Sequence, residues 1–285
     1  MIGSLAGTAL ALISGIGYGV SDFVGGLASR RVAALRVVLV SYPVALVLLT
    51  TISFVVGGHV TTPAIVWGGL CGLSQAFGVW WFYAALGAGP MSLVSPLTAI
   101  LVAGVPIVAG VLLGERPSLL AYTGIGLALI AVVLVSREER GEDSTVQRFT
   151  AKVPWLTLGA GLAFGLNFVL IDQAPHDAGL WPLAFARLSA TLMVVAIAVT
   201  SRNLAVPSGV PLRLAMAAGV LDTVANVAML LALQASLLSL TSVLISLYPA
   251  GTVLLALAVL KERVTRWQAA GMVLAIGAVG LIAAG

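Results

Sequence analysis

Charge is what this sequence most lacks. Its 285 residues include only 14 Lys and Arg and 10 Asp and Glu, or 8% of the chain, against about 25% in ordinary soluble proteins. Apolar residues make up 60%, where about 45–50% is usual. A soluble domain of this length needs far more polar surface, so solvent alone excludes soluble enzymes, nucleic-acid binders and disordered chains. The net charge of +4 is no nucleic-acid footprint, because the basic cytoplasmic loops of membrane proteins give the same balance. Cysteine is nearly absent: Cys71 stands alone, which excludes an intramolecular disulfide and a cysteine metal cluster. Neither a metal, a cofactor nor a catalytic residue is expected. The first residues carry no basic stretch, and the apolar run that follows is long enough to span, so no cleaved signal is expected. A GxxxxGK[ST] phosphate loop and an HExxH motif are both missing, and no soluble segment could host nucleotide chemistry. That excludes a nucleotide-driven pump.

What is present is apolar length. A spanning helix needs about 20 mostly apolar residues, and that window gives ten candidates: 4–26, 35–57, 64–86, 92–113, 118–136, 154–173, 181–200, 210–233, 237–259 and 265–284. Glycine, proline and charge clusters break the chain between them, as at Gly87 to Pro90 and Gly114 to Pro117. Residues 137–153 hold Arg137, Glu138, Glu139, Arg140, Glu142, Asp143, Arg148 and Lys152, a third of all the charges. They read as a solvated connector between residues 1–136 and 154–285.

The two halves repeat each other. An offset of 147 places Glu115 and Arg116 on Glu262 and Arg263. It also matches Gly72 with Gly219, Ser92 with Ser239, Ser95 with Ser242, Gly104 with Gly251 and Gly124 with Gly271. Gly15 with Gly19 and Gly161 with Gly165 form GxxxG surfaces for close helix packing. Five spans is an odd number, so the second copy enters the membrane from the opposite side. The expected fold is an all-α polytopic membrane protein, ten transmembrane helices in two inverted five-helix repeats. That architecture is common in secondary transporters, with a site between the repeats.

At these residues the chain resembles the drug/metabolite transporter superfamily, in particular its EamA-type ten-helix carriers, over nearly its whole length. The most specific pieces are Leu112-Leu113-Gly114-Glu115-Arg116 and Val259-Leu260-Lys261-Glu262-Arg263, each followed by a glycine-containing helix (Gly124, Gly271). Tyr248-Pro249 matches a family proline about four turns before that Glu. The first half has Val102 there, with Pro96 and Pro106 displaced, which leaves open how its fourth helix kinks. The resemblance implies export or exchange of small, often amino-acid-like metabolites through a central cavity, in a multi-pass protein of the inner (plasma) membrane. A flippase for a lipid-linked substrate is the alternative on the same fold. It would need a lateral opening lined by basic residues, and only Arg187 lies deep.

Ionisable residues inside a membrane are functional candidates because burying them is costly. Asp222 lies mid-span, with Asn226 a turn later on the same face and Gln75 at the repeat-equivalent position. Asp222 either holds a substrate ammonium or a coupling proton, or pairs with Arg187 to staple helices together. Arg187 receives a substrate carboxylate in one reading and is structural in the other. Asp22, which follows Tyr18 in a Gly-rich stretch, is either a cavity group or a salt-bridge partner of Arg30 or Arg31. Asn167 is helix glue or a cavity ligand. Trp80 and Tyr83 share a face and form either a pocket wall or lipid-facing bulk. Ser239, Ser242 and Ser246 make a stripe that reads as close packing. The Glu115 and Glu262 carboxylates are placed to accept free amides at the next helix start.

Orientation rests on basic residues. Odd-numbered connections hold twelve Lys and Arg and the other side only Arg116 and Arg187. The positive-inside rule then puts both termini outside, whereas the resemblance implies cytoplasmic termini. Small-molecule cargo, bilayer lipid and a coupling proton are the expected partners; nucleic acid is not.

Overall fold

A computed structural model describes residues 2–88, 91–135, 152–260 and 265–284. Among them the chain is all helix and turn. The first half contributes α1 (Ile2–Ser29), α2 (Ala34–Val56), α3 (Thr62–Ala88), α4 (Met91–Leu112) and α5 (Leu119–Val135). The second contributes α6 (Lys152–Asp172), α7 (Trp181–Thr200), α8 (Val210–Ala235), α9 (Leu238–Ser246), α10 (Tyr248–Leu255) and α11 (Arg266–Ala284). Eight helical stretches are long and apolar enough to cross a membrane; residues 97–112 and 119–135 are shorter apolar helices. Large apolar side chains lie exposed around the outside, Val55, Leu119 and Ile276 among them, as a hydrocarbon solvent requires. The protein is a polytopic membrane protein.

Helix starts follow local chemistry. Pro63, Pro182 and Pro211 occupy first turns, where a missing N–H costs nothing. The Ser118 hydroxyl accepts from the Ala121 N–H at the start of α5. Thr265 and Gln268 exchange hydrogen bonds at the start of α11, a capping box. Gly114, at φ +101, ends α4 in a conformation that favours glycine.

The ninth span is not one helix. It breaks at Leu247 between α9 and α10 and ends in a π-helical turn, Ala256–Leu260. Pro249 has no N–H to give the Ile245 carbonyl, so the α-helical ladder fails there. The equivalent α4 runs unbroken through Pro96 and Pro106. The two copies of this helix therefore differ.

Extensive pairings run between the halves rather than within them. α1 packs on α8 as α3 packs on α6, and α2 on α8 as α3 on α7. α4 on α6 corresponds to α1 on α9 and α10, while α5 meets α11, α2 meets α7 and α4 meets α9. Exchanging the halves returns the same set, which is the pattern a pseudo-two-fold axis produces.

Matched glycines mark close approaches at equivalent places in the two halves. A Cβ on Gly72 would overlap the Ala186 carbonyl in α7, and one on Gly219 would overlap the Ser41 carbonyl in α2. Gly124 lies against Ala278 and Ile282, and Gly271 against Ala131 and Val135. The GxxxG surfaces repeat the arrangement: Gly161 and Gly165 face Leu101 and Val105 of α4, while Gly15 and Gly19 face Ile245 and Tyr248.

Glu115 corrects one expectation. Its carboxylate accepts from the Leu238 and Ser239 N–H groups, at 2.5 and 3.0 Å, so it caps α9 in the other half rather than α5. Two free amides and the positive end of a helix dipole both favour an anion there. Glu115→Ala is expected to lower stability by about 1–2 kcal/mol, and Glu115→Gln by less, measured by thermal melting in detergent. Equal melting of all three proteins would dismiss the cap. Glu262 lies outside the described residues.

Candidate functional site

The alternating helices define two ends. At one, the Arg36 Nε donates to the Asn203 Oδ1 at 3.0 Å, tying the start of α2 to the α7–α8 connection. Arg30, Arg31, Arg202, Arg213 and Arg266 share this basic end by the course of the chain. At the other, the His59 N–H donates to the Asp177 carbonyl, Glu115 caps α9, and Gly7 meets Ser236.

Between these ends the bundle closes unevenly. On one stripe of α1, Ala11 and Gly15 are buried, Tyr18 is half-buried, and Asp22 and Gly26 are exposed. The spacing of those residues keeps them on a single helix face. α9 is buried at every position but Leu240, whereas α10 has no buried residue. Asp22 is exposed between two packed flanks of α1, with Ser21 bonded to Ala218 of α8 and Gly19 against Tyr248 and Thr252 of α10, so it points between those helices. Asp22 lies toward the basic end of α1, and the buried α9 lies toward the opposite end.

Arg187 anchors the floor of this region. Its Nη2 donates to the Asp222 Oδ2 at 2.6 Å, with side-chain exposures of 2% and 19%. Its guanidinium carbon sits 4.6 Å from the centroid of the Tyr42 ring, within cation–π range. Nη1 is buried without a partner. Of the two readings open for Asp222, the ion pair is the one present. It joins α7 to α8, with α2 stacked above.

Tyr18 donates to the Met229 sulfur at 3.5 Å and lies within Coulombic range of Arg187, Asp222 and Asp22. Asp22 in turn is in range of Asp222 and of the Tyr248 hydroxyl. It makes no ion pair or hydrogen bond among the described residues. Arg30 is eight residues on, about 12 Å along a continuous helix, beyond the i+4 reach that a local pair needs.

The remaining candidates disperse. Asn226 is buried and gives its Nδ2 to the Asp222 carbonyl at 2.7 Å, within its own helix. Asn167 donates to the Cys71 carbonyl at 3.0 Å and to its sulfur at 2.9 Å, joining α6 to α3. Gln75 is half-buried on α3. Trp80 is 47% exposed and stacks on Phe77, lining a shallow outer groove of about 480 Å³ with Met193 and Ile197 of α7. The side chain of Tyr83 lies outside the described residues. Ser239, Ser242 and Ser246 are buried, with Ser242 and Ser246 hydrogen-bonded inside α9. Sequence reasoning missed Tyr42 and singled out Tyr248 only for its proline neighbour; neither carries a local signal of what it faces.

Known proteins place this geometry. None of the curated proteins compared matches the chain. A solved crystal structure superposes with a TM-score of 0.78 over 96% of this chain and 95% of that one, at 14% identity. Such low identity establishes a shared fold and no more. The EamA-like transporter family model matches residues 5–137 and again 152–284, nearly the whole length in two copies. This protein therefore belongs to the EamA-like transporter family, and it is a membrane transporter.

Proposed function

We propose that the chain is a secondary transporter which moves small molecules by alternating access, exchanging one opening for another across the pairing of its two halves. The observation that carries this reading is the exposure of Asp22 inside the bundle, above a floor sealed by α9 and the Arg187–Asp222 pair. A permeation path open at one end and closed at the other is what alternating access requires of any resting state. The cargo site comprises Tyr18, Asp22, Asp222 and Tyr248; Arg187 and Asn226 position Asp222. Arg187 is already paired and almost fully covered, so it offers no charge to a phosphate head group. That favours a water-soluble cargo over a lipid-linked one.

The experiment is uptake and counterflow in proteoliposomes against a panel of labelled amines, amino acids and neutral metabolites. Saturable exchange of at least one cargo is expected. Passage of none of them, in either direction, would end the transport mechanism proposed. Cys71 is the single cysteine, so Cys71→Ser supplies a cysteine-free background. In it, Gly26→Cys is expected to react with an impermeant maleimide from the basic end only.

We place that end in the cytoplasm. Pairing removes Arg187 from the topological count and leaves Arg116 as the described basic residue at the opposite end, which strengthens the asymmetry that orients membrane proteins. Both termini then lie outside the cytoplasm. A C-terminal alkaline phosphatase fusion is expected to be active; a fluorescent cytoplasmic C-terminal fusion would reverse the assignment.

A further inference from the structure

We propose that the cargo is a monocation, an amine or quaternary ammonium, held by the Asp22 carboxylate with Tyr18 and Tyr248 beside it. The proposal rests on the transport reading above and adds the charge of what is carried. Three ionisable groups with a formal charge occupy the interior among the described residues: Asp22, Asp222 and Arg187. Arg187 and Asp222 neutralise each other at 2.6 Å. Asp22 is left with neither an ion pair nor a hydrogen bond, on α1 about 10 Å inside its basic end. The wall of the opening thus carries one carboxyl group without a partner among the described residues, available to a counter-charge.

A lone carboxylate in a low-dielectric bundle is costly unless a counter-charge arrives. An ammonium supplies it. Tyr18, one helical turn before Asp22, and Tyr248, whose backbone packs against Gly19, bring two phenol side chains into range of Asp22, and ring faces attract cations. Carboxylate-bearing cargo meets the opposite situation. The one interior cation is covered and committed to Asp222, and the Nη1 it leaves without a partner is sealed from the opening. An anion would approach Asp22 and Asp222 with nothing to receive it.

Binding to the full-length protein in nanodiscs, read by calorimetry, tests this with four probes of one shape: benzyltrimethylammonium, benzylamine, benzyl alcohol and benzoate. Both cations are expected to bind at least tenfold more tightly than the alcohol, and benzoate not to compete. Asp22→Asn is expected to weaken the cations at least tenfold, and Asp22→Glu to retain them within a few-fold. The preference for cation over alcohol is read on the unmodified chain, so it decides the matter even if Asp22→Asn does not fold. Equal affinity for cation and alcohol, absence of cation binding, or cation binding unchanged in folded Asp22→Asn would each overturn the proposal. Proteoliposomes separate it from the reading beneath it. Exchange of neutral or zwitterionic cargo without cation binding removes the charge preference and leaves the transporter. Cation binding without exchange of any cargo does the reverse.

Discussion

Replacing Arg187 with methionine is expected to destabilise the protein by about 3–5 kcal/mol, because it leaves the Asp222 carboxylate without its partner in a covered site. Asp222→Asn is expected to cost nearly as much, since it strands a guanidinium that is 2% exposed and already has one unpartnered nitrogen. Combining them removes both charges. The double variant is therefore expected to be more stable than either single one, which requires a coupling energy above the larger single loss, about 3–5 kcal/mol. Unfolding followed in detergent measures all three. Additive losses would mean that the pair is not acting as a unit. The same cycle speaks to mechanism, because a double variant that folds and still exchanges cargo would mark the pair as a staple and leave Asp22 as the working charge.

A second large effect is expected at the matched glycines. A methyl on Gly72 or Gly219 meets a backbone carbonyl of a neighbouring helix, not the yielding tip of a side chain. Helices must separate to admit it. Gly72→Ala and Gly219→Ala are each expected to cost at least about 2–3 kcal/mol and to lower the yield of folded protein. Gly69 and Gly126 are the controls. A Cβ at either meets nothing within 4 Å, and alanine there is expected to be neutral or to gain up to about 1 kcal/mol in helix propensity. Similar melting of Gly72→Ala and Gly69→Ala would refute the assignment of close approaches.

How much of this was legible depended on whether the signal was local. Gly72 and Gly219 could be matched by register because a close approach forbids every side chain, and that constraint shows at both positions of a repeat. Arg187 and Asp222 could be paired because they are the deep opposite charges in a chain almost devoid of charge. Glu115 could be read as a cap, yet its partner could not: the amides of Leu238 and Ser239 come from the other half, and sequence proximity pointed to the wrong helix. Asp22 stayed open between two readings for the same reason, since nearness to Arg30 in the chain becomes distance once α1 continues to Ser29. Trp80 shows a further limit. Its depth was readable from the span, but which way it faced depended on where α7 packs.

The pairing of helices across the halves also sets the order in which this molecule can come into being. Synthesis delivers the first five helices to the bilayer while their principal neighbours are still on the ribosome. Until α6 to α8 arrive, the small-residue faces of α1 and α3 lie against lipid, and Glu115 has no α9 to cap. Maturation is thus a post-insertional docking of two incomplete bundles. A change at Gly72, whose close neighbour Ala186 lies in the second half, would first be felt at that docking step.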